Sequence, residues 1–303
     1  MHIPALLPDE LLGGYLARLA HLNALTSGAA ALDAMYDDPN RPRNGACTSP
    51  FELIARVVGA DKAHLLRAHS LAPLALAVRP GRDPIRHGDP RALPLKRRWR
   101  DEAVAPAVWR CPRCVNEDIG FWGFAYARRS AQLPGIDWCT KHGVALLRPT
   151  ASLGADAAAP VDLTPAESRY AEVMDAILDL SQSIPLTQAS IRLRHRMQQL
   201  GLRTRRDSSG PTMSGLVVSV LPRRWLERHR PHVLNGGGSA DLDNIHTSPA
   251  SPFAIQDYVL ALTALYATAD EALKDFLRPL DTTERFRLDD LVRRRRGKQV
   301  APV

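Results

Sequence analysis

Cys111-Pro-Arg-Cys114 and, after 24 intervening residues, Cys139-Thr-Lys-His142 present three thiols and one imidazole in two closely spaced pairs. Thiolate sulfur and imidazole nitrogen are the ligands of tetrahedral Zn²⁺, and each C-x2-C or C-x2-H pair lets one tight turn aim two of them at the same ion. Because protein would fill all four positions, no place is left for water or substrate, so the chemistry implied is structural rather than catalytic. A disulfide would strand a third cysteine and suits an oxidising compartment. A thioredoxin-like redox C-x2-C belongs with a βαβ pattern, and none is visible. Cys111, Cys114, Cys139 and His142 are therefore the candidate ligands of a structural Zn²⁺. Cys47, the fourth cysteine, receives no role.

The second chemistry on offer is phosphate binding. Lys+Arg number 40 against 32 Asp+Glu, a net +8, and only five of the 40 are Lys. A GC-rich genome writes arginine without any selection for nucleic acid, so the distribution carries more than the total. From Thr187 to Arg230 ten Arg face two acidic residues, and from Arg79 to Arg113 ten basic residues face four. Patches of this kind are the electrostatic footprint of nucleic-acid binding. Arg192, Arg194, Arg196, Arg203, Arg205, Arg206, Arg223 and Arg224 are the candidates in the first. In the second, Lys96-Arg97-Arg98-Trp99-Arg100 combines a basic run with an aromatic. The competing reading is a solvated face whose arginines pair with acids at little gain per pair.

Helices must position both sets. Leu11, Leu12, Tyr15, Leu16, Leu19 and Leu22 predict an amphipathic helix over residues 9–24. Phe51 to Leu71 reads as two short helices around Gly59, with Ala55, Gly59 and Leu65 at the packing positions of a helix-turn-helix unit. Prolines 80, 84, 90, 94 and 106 break the next stretch. Gly154 to Pro160 is a linker by composition. Thr164-Pro-Ala-Glu167 is a capping box with Pro at the first helical position. Further helices are predicted over Gln188–Leu200, closed by Gly201, over Thr212–Leu221, from Pro222 through Arg230, and after Ser251-Pro252. Arg293 to Arg296 is a basic tail. The fold expected is mainly α, with a helical N-terminal domain bearing the helix-turn-helix-like element (residues 1–95). A small zinc-finger module (96–150) and a linker (151–163) follow. A helical C-terminal domain, winged or helix-turn-helix, completes the chain (164–303).

Between the two metal-ligand pairs runs Phe121-Trp-Gly-Phe-Ala-Tyr-Ala-Arg-Arg-Ser-Ala-Gln-Leu-Pro-Gly-Ile-Asp-Trp138. With Cys-Pro-x-Cys before it and Cys-x-x-His-Gly-x-x-Leu-Leu after it, this resembles the TniQ family of transposon target-selection and adaptor proteins. Leu7-Pro8-Asp9-Glu10-Leu11, Leu16-Ala17-Arg18-Leu19-Ala20 and Asn23 are similar to that family's N-terminal helix. The resemblance covers residues 4–148. Some members carry a second zinc knuckle, for which this sequence has no cysteines left. A looser likeness to the C-terminal region of the longer target-site binder TnsD covers the arginine-rich helices.

The resemblance implies a non-enzymatic adaptor. It would recognise DNA or a DNA-bound complex and recruit the AAA+ ATPase regulator that licenses a transposase. A CRISPR RNA-guided complex, the partner in some relatives, and a second copy of the chain are further partners this reading admits. The alternative is a zinc-containing helix-turn-helix transcription regulator, and a metal-dependent nuclease or hydrolase is a third reading. GxxxxGK[ST], HExxH and GxSxG are all missing, and the acidic residues are scattered. No run approaches a membrane span and no signal-peptide layout opens the chain. A cytoplasmic, bacterial, nucleoid-associated protein without membrane contact is expected.

Overall fold

Two acidic side chains decide where the first helix starts. In the computed structural model, helix α1 spans Leu12–Leu22 rather than beginning at residue 9. Asp9 has a left-handed backbone (φ 58°), and Glu10 is fully buried just before the helix. The Glu10 carboxylate accepts from the Leu7 N–H at 3.0 Å and from Arg18 Nε and Nη2 at 2.8 and 2.7 Å. A buried carboxylate needs such partners, and meeting them holds the chain in a turn until Leu11. Described are residues 1–37, 50–81, 83–89, 109–148, 159–203, 210–235, 239–246, 254–281 and 284.

The chain divides into two compact units. One comprises Met1–Ala77, Ile85–Leu163 and Met174–Ser183; the other comprises Val78–Pro84, Thr164–Val173 and Ile184–Val303. In the first, α1 is followed by α2 (Gly28–Tyr36), α3 (Pro50–Val58), α4 (Lys62–His69) and α5 (Ala72–Ala75). Leu12, Tyr15, Leu16 and Leu19 of α1 meet Met35, Ile54, Leu65 and Leu66 in one core. The α3–α4 turn is a complete Schellman motif: Ala60 N–H reaches Ala55 O at 2.8 Å and Gly59 N–H reaches Arg56 O at 3.2 Å. Gly59 sits at φ 69°, and a Cβ there would meet nothing within 4 Å, so conformation and not space requires glycine. Asp61 then caps α4 by accepting from His64 N–H at 3.0 Å.

The segment 109–148 belongs to the same unit, so the helical part expected at 1–95 and the zinc-finger part expected at 96–150 are described together. It contains α6 (Pro112–Trp122) and a tight hairpin around residues 137–146. Gly14 on α1 allows close approach here: a Cβ at that position would lie 2.6 Å from the Ala127 Cβ.

α7 runs from Pro165 to Leu178, and its start is the predicted capping box. Thr164 N–H donates to Glu167 Oε2 at 2.8 Å, and Glu167 N–H donates to Thr164 Oγ1 at 3.3 Å. The second unit then holds α8 (Leu186–Gln199), α9 (Met213–Val220), α10 (Arg223–His229), α11 (Pro231–Leu234), α12 (Ser239–Asp243), α13 (Ile255–Leu265) and α14 (Ala269–Leu277). Seven of the eleven residues of α13 are buried, all of them within Tyr258–Leu265, and it packs against α8, α9 and α14. Tyr170 and Trp225 stack edge to face at 4.9 Å in that core. Val78–Arg79 (β1) and Ile184–Pro185 (β2) pair in parallel, and no β-hairpin wing occurs among the described residues. No helix among them is long and apolar enough to cross a membrane.

Candidate metal centre and basic surface

The first ligand pair is built on a helix start. Cys111 is the N-cap of α6, Pro112 occupies the first helical position, and Cys114 lies in the first turn. The Cys111 sulfur accepts from Cys114 N–H at 3.5 Å, the place a serine or threonine oxygen takes in an ordinary cap. The helix N-terminus therefore favours negative sulfur at both positions. The second pair sits on the hairpin. Cys139 N–H donates to Val144 O at 2.7 Å and Gly143 N–H to Cys139 O at 2.8 Å. Arg110 and Leu147 exchange both backbone bonds at 2.8 Å, which ties the entry of α6 to the hairpin's exit.

These supports bring the four predicted ligands together. The donor atoms of Cys111, Cys114, Cys139 and His142 all lie within 4.8 Å of one another. Cys114 Sγ is 3.8 Å from Cys139 Sγ, and His142 Nδ1 is 3.4, 3.4 and 3.6 Å from the sulfurs of Cys111, Cys114 and Cys139. A tetrahedron with metal–sulfur and metal–nitrogen bonds of about 2.3 and 2.0–2.1 Å has edges of about 3.8 Å (S–S) and about 3.6 Å (S–N). The donor set thus fits one tetrahedral ion. Cys114 is pushed up, first by donating a hydrogen bond to Cys139 and then by burial. Cys139 is lowered to about 5, first by accepting that bond. Three sulfurs this close share protons when no cation neutralises them.

Other residues hold the frame. Gln132 clasps the Trp109 backbone, donating Nε2–H to its carbonyl at 2.7 Å and accepting its N–H at 3.2 Å. Asp118, buried, pairs with Arg128 at 2.5 Å. Asp9 accepts from Ser130 N–H at 3.1 Å and from Arg129 Nε at 3.1 Å, and Arg129 Nη2 also reaches Asp179 Oδ1 at 2.8 Å. His142 Nε2 lies 3.0 Å from Glu117 Oε1. The carboxyl of Glu117 is held below its ordinary range by Lys141 first and His142 second. Sequence reading missed Glu117; once α6 is known to start at Cys111, positions 111, 114 and 117 fall on adjoining turns.

Residues 2–146, just under half of the chain, match the sequence pattern of the TniQ family. Over these residues the chain is similar to the TniQ family. That match supports a transposition-associated adaptor role, with transposition-complex partners and DNA association in general, and the family is known as one of non-catalytic adaptors. No curated protein matches the chain. The residues of the likeness now have physical tasks: Cys111, Cys114, Cys139 and His142 at the candidate metal centre, Glu10 and Arg18 before and within α1, and Gln132 across the base of that segment.

The candidate nucleic-acid arginines fare unequally. Arg192 is a correction: its side chain is 1% exposed, paired through both terminal nitrogens with Glu284, and it donates to Pro279 O at 2.8 Å. It is an interior group. Its neighbour Leu193 is buried as well, so this flank of α8 faces the core although its sequence reads as basic. Arg194 donates to His246 O at 3.1 Å. Arg196 pairs with Glu271 at 3.1 Å and lies over the Tyr266 ring at 4.6 Å. Arg203 is half-buried. Arg223 and Arg224 on α10 point outward, 83% and 62% exposed, with Glu227 and Glu167 nearby at 2.8 and 3.7 Å. Arg205, Arg206, Lys96, Arg97, Arg98 and Arg100 lie outside the described residues, as does Cys47.

Proposed function

We propose that the protein is a non-enzymatic target-selection adaptor in transposition. It binds DNA, or a targeting complex already on DNA, and recruits the AAA+ ATPase regulator that licenses the transposase. The observation that carries this reading is the TniQ match over residues 2–146 with its Cys/His tetrad. All four donors come from protein, and that arrangement suits a framework rather than an active site. Zn²⁺ is the ion that three thiolates and an imidazole select, and when bound it supplies folding energy. The residues around it do the rest: Cys111 starts α6, Gln132 and Arg110 close the segment on itself, and Asp9 and Arg129 tie it to the start of the chain.

DNA contact in this reading falls chiefly to the outward Arg223 and Arg224 of α10. Arg194, Arg196 and Arg203 are secondary, and Arg205, Arg206, Lys96, Arg97, Arg98 and Arg100 join them on sequence grounds. The division into 1–95, 96–150, a linker at 151–163 and 164–303 is part of the proposal. So are a CRISPR RNA-guided complex or a second copy of the chain as partners.

The test is fluorescence anisotropy with random and insertion-site duplexes over a salt series, beside affinity capture with the ATPase. ATPase capture that depends on residues 1–148 is the expected result. Site-selective duplex binding adds a direct DNA selector. Sequence-specific binding without any ATPase association sinks the adaptor reading and leaves a transcription regulator.

A further inference from the structure

The hydrogen bond between His142 and Glu117 gives that carboxylate a task of its own. His142 turns Nδ1 towards the three sulfurs, at 3.4, 3.4 and 3.6 Å, and Nε2 towards Glu117 Oε1, at 3.0 Å. The carboxylate's other oxygen, Oε2, is held by Lys141 Nζ. α6 supplies Cys111 and Cys114 and, one turn later, Glu117. The hairpin supplies Cys139 and His142, with Lys141 between them. Each piece of backbone therefore provides two ligands and half of the clamp behind the fourth ligand.

We propose that Glu117 is a positioning residue for the metal: it holds the His142 ring so that Nδ1, with its lone pair free, completes the ligand set. An imidazole that ligates through Nδ1 carries its proton on Nε2, and that proton needs an acceptor. Outer partners of this kind fix tautomer and ring orientation and raise ligand basicity. The adjacent carboxylate, Asp118, does not compete for the task, because it is buried and engaged by Arg128 at 2.5 Å. Glu117 is 46% exposed, so shortening it opens no cavity in the core.

The inference rests on the zinc reading, and the experiment separates the two. Full-length wild type, Glu117→Ala and Glu117→Gln are titrated with Zn²⁺ against a chromophoric chelator. The His142 Nε2–H is followed by ¹⁵N–¹H correlation in the zinc-loaded chains. Glu117→Ala is expected to bind Zn²⁺ about 10–100-fold more weakly, the usual cost of losing an outer partner. Its Nε2–H signal should be lost to solvent exchange. Glu117→Gln, whose amide oxygen still accepts, should recover most of the affinity and the signal. Should Glu117→Ala fail to fold, Glu117→Asp, which withdraws the carboxylate by one methylene, carries the same expected loss. Wild-type affinity in Glu117→Ala, or an equal loss in Glu117→Gln, overturns the positioning role. Failure of wild type to take up one Zn²⁺ overturns the zinc reading itself.

Discussion

The Cys/His segment and the arginine-rich helices of the second unit both drew notice through residue type, yet the fold treats them differently. In the first, all four residues singled out by spacing meet within 4.8 Å. In the second, arginines that look equivalent along the chain have three different fates. Arg192 is interior, Arg194 and Arg196 donate to carbonyls of the same unit, and Arg223 and Arg224 face solvent. The difference lies in what each pattern constrains. A C-x2-C or C-x2-H pair is a local geometric demand that only a turn or helix start can satisfy. A charge count sets no direction, and helix periodicity turns each side chain by roughly 100° from the last.

Breaking the metal centre tests the stronger side of the comparison. Cys114→Ser should remove bound zinc and leave the first unit unable to fold. Structural Zn²⁺ in finger-sized peptides is worth about 10–16 kcal/mol at pH 7, against a total of about 5–15 kcal/mol for a domain. Metal analysis together with the thermal transition checks it, and EDTA should reproduce the mutant in wild type. A Cys114→Ser chain that melts as wild type does would leave the tetrad without a structural task.

Arg192→Ala should be the next largest. It leaves Glu284 and two carbonyls facing a hole where a guanidinium was, and removing one member of a buried pair costs about 3–5 kcal/mol. Urea denaturation would record it as a lowered midpoint in the second unit's transition. If stability held while DNA binding fell, Arg192 would belong with the surface arginines and the contrast between interior and exterior arginine would collapse.

Why the metal site is legible in the sequence and Arg192 is not follows from their partners. Cys111, Cys114, Cys139 and His142 partner one another, so their spacing contains the whole site. Arg192 has its partner 92 positions away at Glu284, and nothing in the local pattern marks that acid. The capping box at Thr164 and Glu167 and the turn at Gly59 are legible for the same reason as the metal site: donor and acceptor are within a few residues. The apolar periodicity puts the start of α1 three residues early because Asp9 is held by Ser130 and Arg129, more than a hundred positions on. Glu117 escapes because its task depends on α6 facing the hairpin, a tertiary fact.

Arg223→Ala with Arg224→Ala probes the outward side. Both residues are mostly exposed, so stability should change by no more than about 0.5 kcal/mol. DNA affinity should fall uniformly across sequences. The slope of log affinity against log salt should flatten by up to about 1.8, at about 0.9 for each phosphate no longer neutralised. An unchanged slope in anisotropy titrations would return α10 to a solvated face, its arginines paired with Glu227 and Glu167.

A last pair of effects should be the same in the two units, which makes it the control. α3 ends at Gly59 and α8 at Gly201, with φ of 69° and 68°. Both close with Schellman bonds, Ala60 N–H to Ala55 O at 2.8 Å and Leu202 N–H to Met197 O at 2.9 Å. At neither glycine would a Cβ meet an atom within 4 Å. Gly59→Ala and Gly201→Ala should therefore incur only the left-handed strain, about 1–2 kcal/mol each, seen as similar shifts in urea midpoint. Equal costs would mean that turn chemistry is common to the two regions and that what separates them is the ligand spacing. A much larger loss at Gly59 would mean that the α3–α4 corner supports the metal segment beyond its own turn, and the contrast would have to include that corner.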